Sequence, residues 1–171
     1  MKLRAALLTG LCLCQGCATN FYLESEARPI AKPSPGTTVF VTNPSLSEEY
    51  RILKRSGIVG LTDDPQCPNK VTLHDFQQRT QCGTPYLISF ATLGVVPISL
   101  PQIEDYRYTL QTLNGTQIVR FHLPVYFRYS IWERILGVFH SDEQTLATAL
   151  AIAAQKNDNE RPQQGGGTLR R

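Results

Sequence analysis

Apolar and polar positions alternate along two consecutive stretches, through Tyr106, Tyr108 and Leu110 and then through Val119, Phe121 and Leu123, with Asn114-Gly115 between them. A period of two places one side of each strand on a buried face. Asn-Gly favours a type I′ turn and so predicts a two-residue hairpin centred there. That turn pairs Leu113 with Thr116, and continuing the register sets Leu110 opposite Val119, Tyr108 opposite Phe121 and Tyr106 opposite Leu123, so that the face these last three pairs share is wholly apolar or aromatic. The other face pairs Gln111 with Ile118, Thr109 with Arg120 and Arg107 with His122. The second strand holds its parity through Val125, Phe127, Tyr129 and Ile131, and Pro124 within it removes a ladder donor and predicts a bulge or an edge.

Thr37-Thr38-Val39-Phe40-Val41 is β-branched and aromatic and ends at Asn43-Pro44, which predicts a strand followed by a turn. Ser45 and Glu48 have the spacing of a capping box, Leu46, Tyr50 and Leu53 recur at helical intervals, and Gly57 supplies a stop. Val71 and Leu73 mark a second strand, and Tyr86, Ile88, Phe90 and Leu93 a third with apolar residues on both faces. Ser141 and Gln144 repeat the capping box before a helix whose inner face is Leu146, Ala149, Leu150 and Ala153. These elements predict an α+β domain with a mostly antiparallel sheet of about four to five strands, in the order strand, helix, meander, helix, and two helices packed on it.

The amino terminus has a different character. Met1-Lys2-Leu3-Arg4 is basic, Ala5 to Leu13 is uncharged, and Cys14-Gln15-Gly16-Cys17 closes the segment. The uncharged run of about nine residues is too short for a bilayer span, which needs about 20. The segment resembles the lipobox signal of bacterial lipoproteins: Gly16 fits the position before the cysteine, Gln15 departs from the usual small residue, and Cys14 stands where leucine is common. The resemblance implies that residues 1–16 are a signal peptide and that Cys17 becomes the mature terminus, carrying a diacylglycerol and an acyl chain. Ala18, in place of the aspartate that retains many enteric lipoproteins in the inner membrane, implies an outer-membrane location with the domain facing the periplasm. An ordinary secretory signal and a buried helix are the competing readings. Thr92-Leu93-Gly94-Val95-Val96-Pro97, followed by Tyr106, Tyr108 and Leu110, is similar to a pattern found in small lipoproteins of Gram-negative bacteria, which brings no chemistry with it.

With that segment removed, the 17 basic residues lose Lys2 and Arg4, leaving 15 against 14 acidic ones. No basic stripe suggests nucleic acid. Residues 17–36, with Pro29, Pro33, Pro35 and Gly36, predict a lipidated cysteine on a flexible tether. Residues 37–156 predict the domain, and the polar, glycine-rich residues 157–171 a disordered tail. In an exported chain Cys67 and Cys82 favour a disulfide, which would close a loop of about 15 residues for roughly 3 kcal/mol.

No catalytic constellation emerges from the sequence, which predicts neither an enzyme nor a small-molecule substrate. His74, His122 and His140 are scattered, Ser141 in His140-Ser141-Asp142 is explained as a helix cap, and Asp63-Asp64 reads as a solvated turn rather than a metal site. No cofactor is expected beyond the lipid on Cys17. Two apolar stretches remain, one with Leu93, Val95, Val96, Ile98 and Leu100, the other with Trp132, Ile135, Leu136 and Phe139. In an antiparallel meander they fall at the same end of the sheet. Either they close the core there, or they form an exposed surface for a protein partner or a bilayer. The whole pattern predicts a membrane-anchored accessory subunit in envelope assembly or transport, bound to an envelope protein or complex. A lipid-anchored immunity or inhibitor protein acting on a periplasmic toxin is the alternative.

Overall fold

The computed structural model describes residues 18–24, 36–79, 91–92 and 94–160. Its elements are β1 (Ala18–Leu23), β2 (Thr38–Val41), α1 (Ser47–Ser56), β3 (Gly60–Thr62), β4 (Lys70–Leu73), β5 (Gln77–Arg79), β6 (Ile98–Thr112), β7 (Gly115–Ser130), α2 (Ile131–Leu136) and α3 (Asp142–Glu160). The strands form one seven-stranded sheet in the order β1-β7-β6-β4-β2-β3, with β5 also pairing β6.

The α+β class holds, but the sheet is mixed and larger than a four- to five-stranded antiparallel one. β2 runs parallel to both β3 and β4. Parallel neighbours need a crossover, and α1 supplies it between β2 and β3. The side chain of Asn43 then ties β2 to β4: its Nδ2 donates to the Leu73 carbonyl at 2.9 Å and its Oδ1 accepts the Leu73 N–H at 2.8 Å. β4 and β5 lie in succession along one edge of β6, opposite its residues Tyr108 to Gln111 and Ile103 to Asp105.

α1 starts slightly later than the capping box predicts. Leu46 is its N-cap without a side-chain bond, while Gly57 ends it at φ 68°. For α3 the cap is real, since Ser141 Oγ accepts the Gln144 N–H at 3.3 Å. That helix continues through Glu160, past the expected boundary at residue 156. The third expected strand lies outside the described residues except for Ala91 and Thr92, neither of which is in a strand.

The β6–β7 hairpin keeps its predicted buried face in a register two residues away. Thr112 pairs with Gly115, so Leu113 and Asn114 occupy the turn, Tyr108 faces Val119 and Tyr106 faces Phe121. Thr112 Oγ1 accepts the Asn114 N–H at 3.2 Å and fixes the turn one residue early, and Gly115 then takes φ 134°. A slip of two preserves side-chain parity. Pro124 lies just beyond the last β1 pair, Leu23 with Val125; its carbonyl accepts the Glu24 N–H at 3.0 Å, but it has no N–H to return the bond, and the β1 pairing ends there.

α1 and α3 cover the apolar face. Ile52, Leu53, Leu146 and Leu150 are buried against Val39, Val71, Leu123 and Val125, all at 0 or 1% exposure. Ala147, Ala149 and Ala153 give α3 a small-residue face that lets it approach closely. Tyr106 reaches from β6 beneath α1, where its hydroxyl donates to the Glu49 carbonyl at 2.7 Å. Burial, and then the nearby Glu49 carboxylate, push its phenol well above the ordinary value. The folded chain therefore retains a proton that the unfolded chain releases near pH 10. This stability is fully present below pH 10 and declines above it by about 1.4 kcal/mol per pH unit. Urea titrations between pH 9 and 11 should show that slope in the wild type and a shallower one in Tyr106→Phe.

Residues 18–23, expected at the start of a tether, are instead a full strand. β1 pairs with β7 from Ala18–Ser130 to Leu23–Val125. Phe21 and Leu23 pack against the core, which gives the segment its reason to join the sheet.

Candidate functional site

One end of the sheet holds both apolar stretches. Ile98 pairs with Tyr129, so the loop entering β6 and the helix leaving β7 meet there. The Ile131 N–H donates to the Gly94 carbonyl at 3.0 Å, and Trp132 Nε1 donates to the Val95 carbonyl at 2.9 Å. Gly94 is buried at φ 74°, a conformation that favours glycine. One main-chain bond and one from the Trp132 indole thus join the two segments, while large apolar side chains of both remain exposed.

Exposure separates the candidates. Val95 is 48% exposed, Val96 45%, Trp132 48%, Ile135 60%, Leu136 45% and Phe139 89%. Val138, at 79%, adds to the same surface. Leu100 does not belong to it: it is 6% exposed because its parity sets it opposite Phe127 on the core face. Ile98 is half-buried, while Leu93 lies outside the described residues.

Beneath this end is a polar clasp that sequence reasoning missed. Glu133, within the apolar run of α2, is turned inward at 0% exposure. Its Oε2 accepts from Asn20 Nδ2 at 2.9 Å and from the Tyr22 hydroxyl at 2.6 Å, and its main-chain carbonyl accepts from Asn20 Nδ2 at 2.8 Å. Oε1 makes no hydrogen bond, but the Arg128 Nε lies 3.6 Å away as an ion-pair partner. The same guanidinium sits 5.4 Å from the Tyr22 ring centre. Burial and then the Glu133 carboxylate raise the Tyr22 phenol above its ordinary value. Ser130, the N-cap of α2, accepts the Glu133 N–H.

The chain after α2 then wraps the outer edge of β1. Gly137 passes so close that a Cβ there would lie 2.9 Å from the Glu133 carbonyl oxygen and 3.2 Å from Asn20 Oδ1. His140 Nε2 donates to the Phe21 carbonyl at 2.5 Å, and Asp142 Oδ1 accepts the Phe21 N–H at 2.8 Å. The His140 ring stacks on Tyr22 with centres 4.7 Å apart. Side chains thus satisfy both main-chain groups of Phe21 that face away from β7 and blunt the sheet edge.

The other sequence candidates do not converge. His74 bonds Thr109 and His122 bonds Asp105 on the open face, away from His140. Asp64 Oδ1 accepts the Gln66 N–H at 2.9 Å, a local turn. Cys67 is a free thiol with Sγ 3.6 Å from the Thr38 carbonyl, so the expected disulfide is not formed here. Cys82 and Cys17 lie outside the described residues. Among the described residues no three His, Cys, Asp or Glu side chains group as metal ligands, and no helix is long and apolar enough to cross a membrane.

No family model and no curated protein matches the chain. Among solved structures, a minor lipoprotein from Acinetobacter baumannii is similar over 72% of this chain and 96% of its own, at 11% identity and a TM-score of 0.35. Likeness of that degree carries no argument about role.

Proposed function

We propose that this chain is a lipid-anchored accessory protein of the bacterial cell envelope, attached through Cys17 and working by contact rather than catalysis. Its contact surface is the apolar end formed by residues 94–97 and 131–139. The observation that supports this reading is that Val95, Val96, Trp132, Ile135, Leu136 and Phe139 are exposed on two segments joined by the Ile131–Gly94 main-chain bond and the Trp132 indole bond to Val95. Large apolar groups clustered on a surface mark a place where something binds. The anchor implies an outer-membrane protein whose domain faces the periplasm.

Two measurements test it. The intact mass of protein extracted from membranes should show residues 1–16 removed and Cys17 acylated; an unmodified Cys17 would refute the anchor. Unacylated protein should bind isolated envelopes, and Val96→Asp or Leu136→Asp should weaken that binding at least tenfold, or about 1.4 kcal/mol. Both variants should keep stability within about 0.5 kcal/mol, as surface changes do. Unfolding in either one would instead assign these residues to the core.

A further inference from the structure

We infer that the occupant of the apolar end is the lipid bilayer itself, entered to headgroup depth beside the acyl chains; this rests on lipidation at Cys17. Ala18 is the first residue of β1 and pairs with Ser130, which caps α2. Cys17 is joined to Ala18 by one peptide bond. Adding about 3.8 Å for that step, about 5.5 Å across the strand pair and about 5.5 Å along the chain to residue 132 limits the Cα of Cys17 to about 15 Å from that of Trp132. No intervening tether can lengthen this distance, because β1 is paired from its first residue and clasped through Asn20 and Tyr22 to Glu133.

An acylated Cys17 sits at the bilayer interface, so the apolar end must lie within that span of it. A domain of about 100 residues has a radius of gyration near 13 Å. It cannot fit between the end and the membrane, whereas lipid headgroups already fill the space. The outward face of α2 suits them. Its only carboxylate, Glu133, is turned inward, leaving Trp132, Ile135 and Leu136 exposed. The indole N–H of Trp132 is bound to Val95 and needs no water, so the ring can rest at interface depth without an unpaired donor.

Trp132 is the sole tryptophan in the chain, so its fluorescence reports on this end alone. The full acylated protein should be reconstituted into phosphatidylethanolamine–phosphatidylglycerol vesicles, with and without lipids brominated near the headgroup. The expected result is emission shifted to shorter wavelength than in the unacylated protein in buffer, and loss of most of its intensity with the brominated lipids. Val96→Asp and Leu136→Asp should restore the intensity while the protein stays vesicle-bound through its acyl chains. Unquenched Trp132 emission from vesicle-bound acylated protein overturns the inference and leaves the anchor standing. So does quenching that disappears when an envelope extract is added, which would identify a protein as the preferred occupant. Shielding of Trp132 without vesicles in a chain whose mass retains residues 1–16 would overturn it too, since the chain would then cover its own end. Absence of acylation by mass refutes the anchor instead.

Discussion

Produced behind an ordinary cleavable export signal, the Cys17→Ser protein is expected to move almost entirely from the membrane pellet to the soluble fraction. Each buried methylene of an acyl chain contributes about 0.8 kcal/mol, and a single myristoyl chain gives only about 10⁴ M⁻¹, so stable attachment needs more than one signal. The substitution removes every acyl chain at once. What remains is the apolar end, whose half-exposed side chains give only weak, reversible binding. Ultracentrifugation after cell lysis would measure the change. Circular dichroism should show an unchanged melting temperature, because the substituted position precedes β1, which starts at Ala18. Undiminished pelleting of the Cys17→Ser protein would exclude Cys17 as the anchor.

The clasp carries the second large effect. Asn20→Ala with Tyr22→Phe removes the hydrogen bonds that reach Glu133 Oε2 at 2.9 and 2.6 Å. Bonds to a charged group contribute about 1.5 to 3 kcal/mol each, and stripping partners from a buried charge costs about 3 to 5 kcal/mol. Because the two bonds share one acceptor, their losses do not add. We expect a combined destabilisation of about 3 to 5 kcal/mol, a large part of a typical total of about 5 to 15. Urea denaturation would read it. Adding Glu133→Leu should recover part of the loss, since a leucine there needs no polar partners. If the triple variant is no more stable than the double, the stranded charge is not the cause.

Much of this fold could be read from spacing alone. The hairpin strands, the helix after Pro44, the cap at Ser141 and the meeting of the two apolar stretches all follow from periodicity and from antiparallel order. The hairpin register did not, because the pairings centred on Asn114-Gly115 and on Leu113-Asn114 differ by two and bury the same face. Thr112, not the Asn-Gly pair, decided between them. β2, β3 and β4 hold only three or four residues each, too few to announce that they run parallel. β1 was obscured by its neighbours: Pro29, Pro33 and Pro35 made residues 18–36 look uniform, although Phe21 and Leu23 alternate with Asn20 and Tyr22. Glu133 carried no local sign of burial, since Asn20 lies 113 residues away in sequence. Leu100 shared the composition of its exposed neighbours but the strand parity of Phe127.

The length of the hairpin sets a height. β6 and β7 run 15 and 16 residues from the apolar end to the turn at Leu113 and Asn114. At about 3.3 Å per residue that is about 45 to 50 Å. On the proposal that the end beside Trp132 rests on the membrane, the tip would reach at most that far from the lipid surface. Leu113, 88% exposed, and Ile118, 71% exposed, lie near that tip. Lengthening or shortening both strands by two residues would keep every side chain on its face and change only how far out the protein reaches.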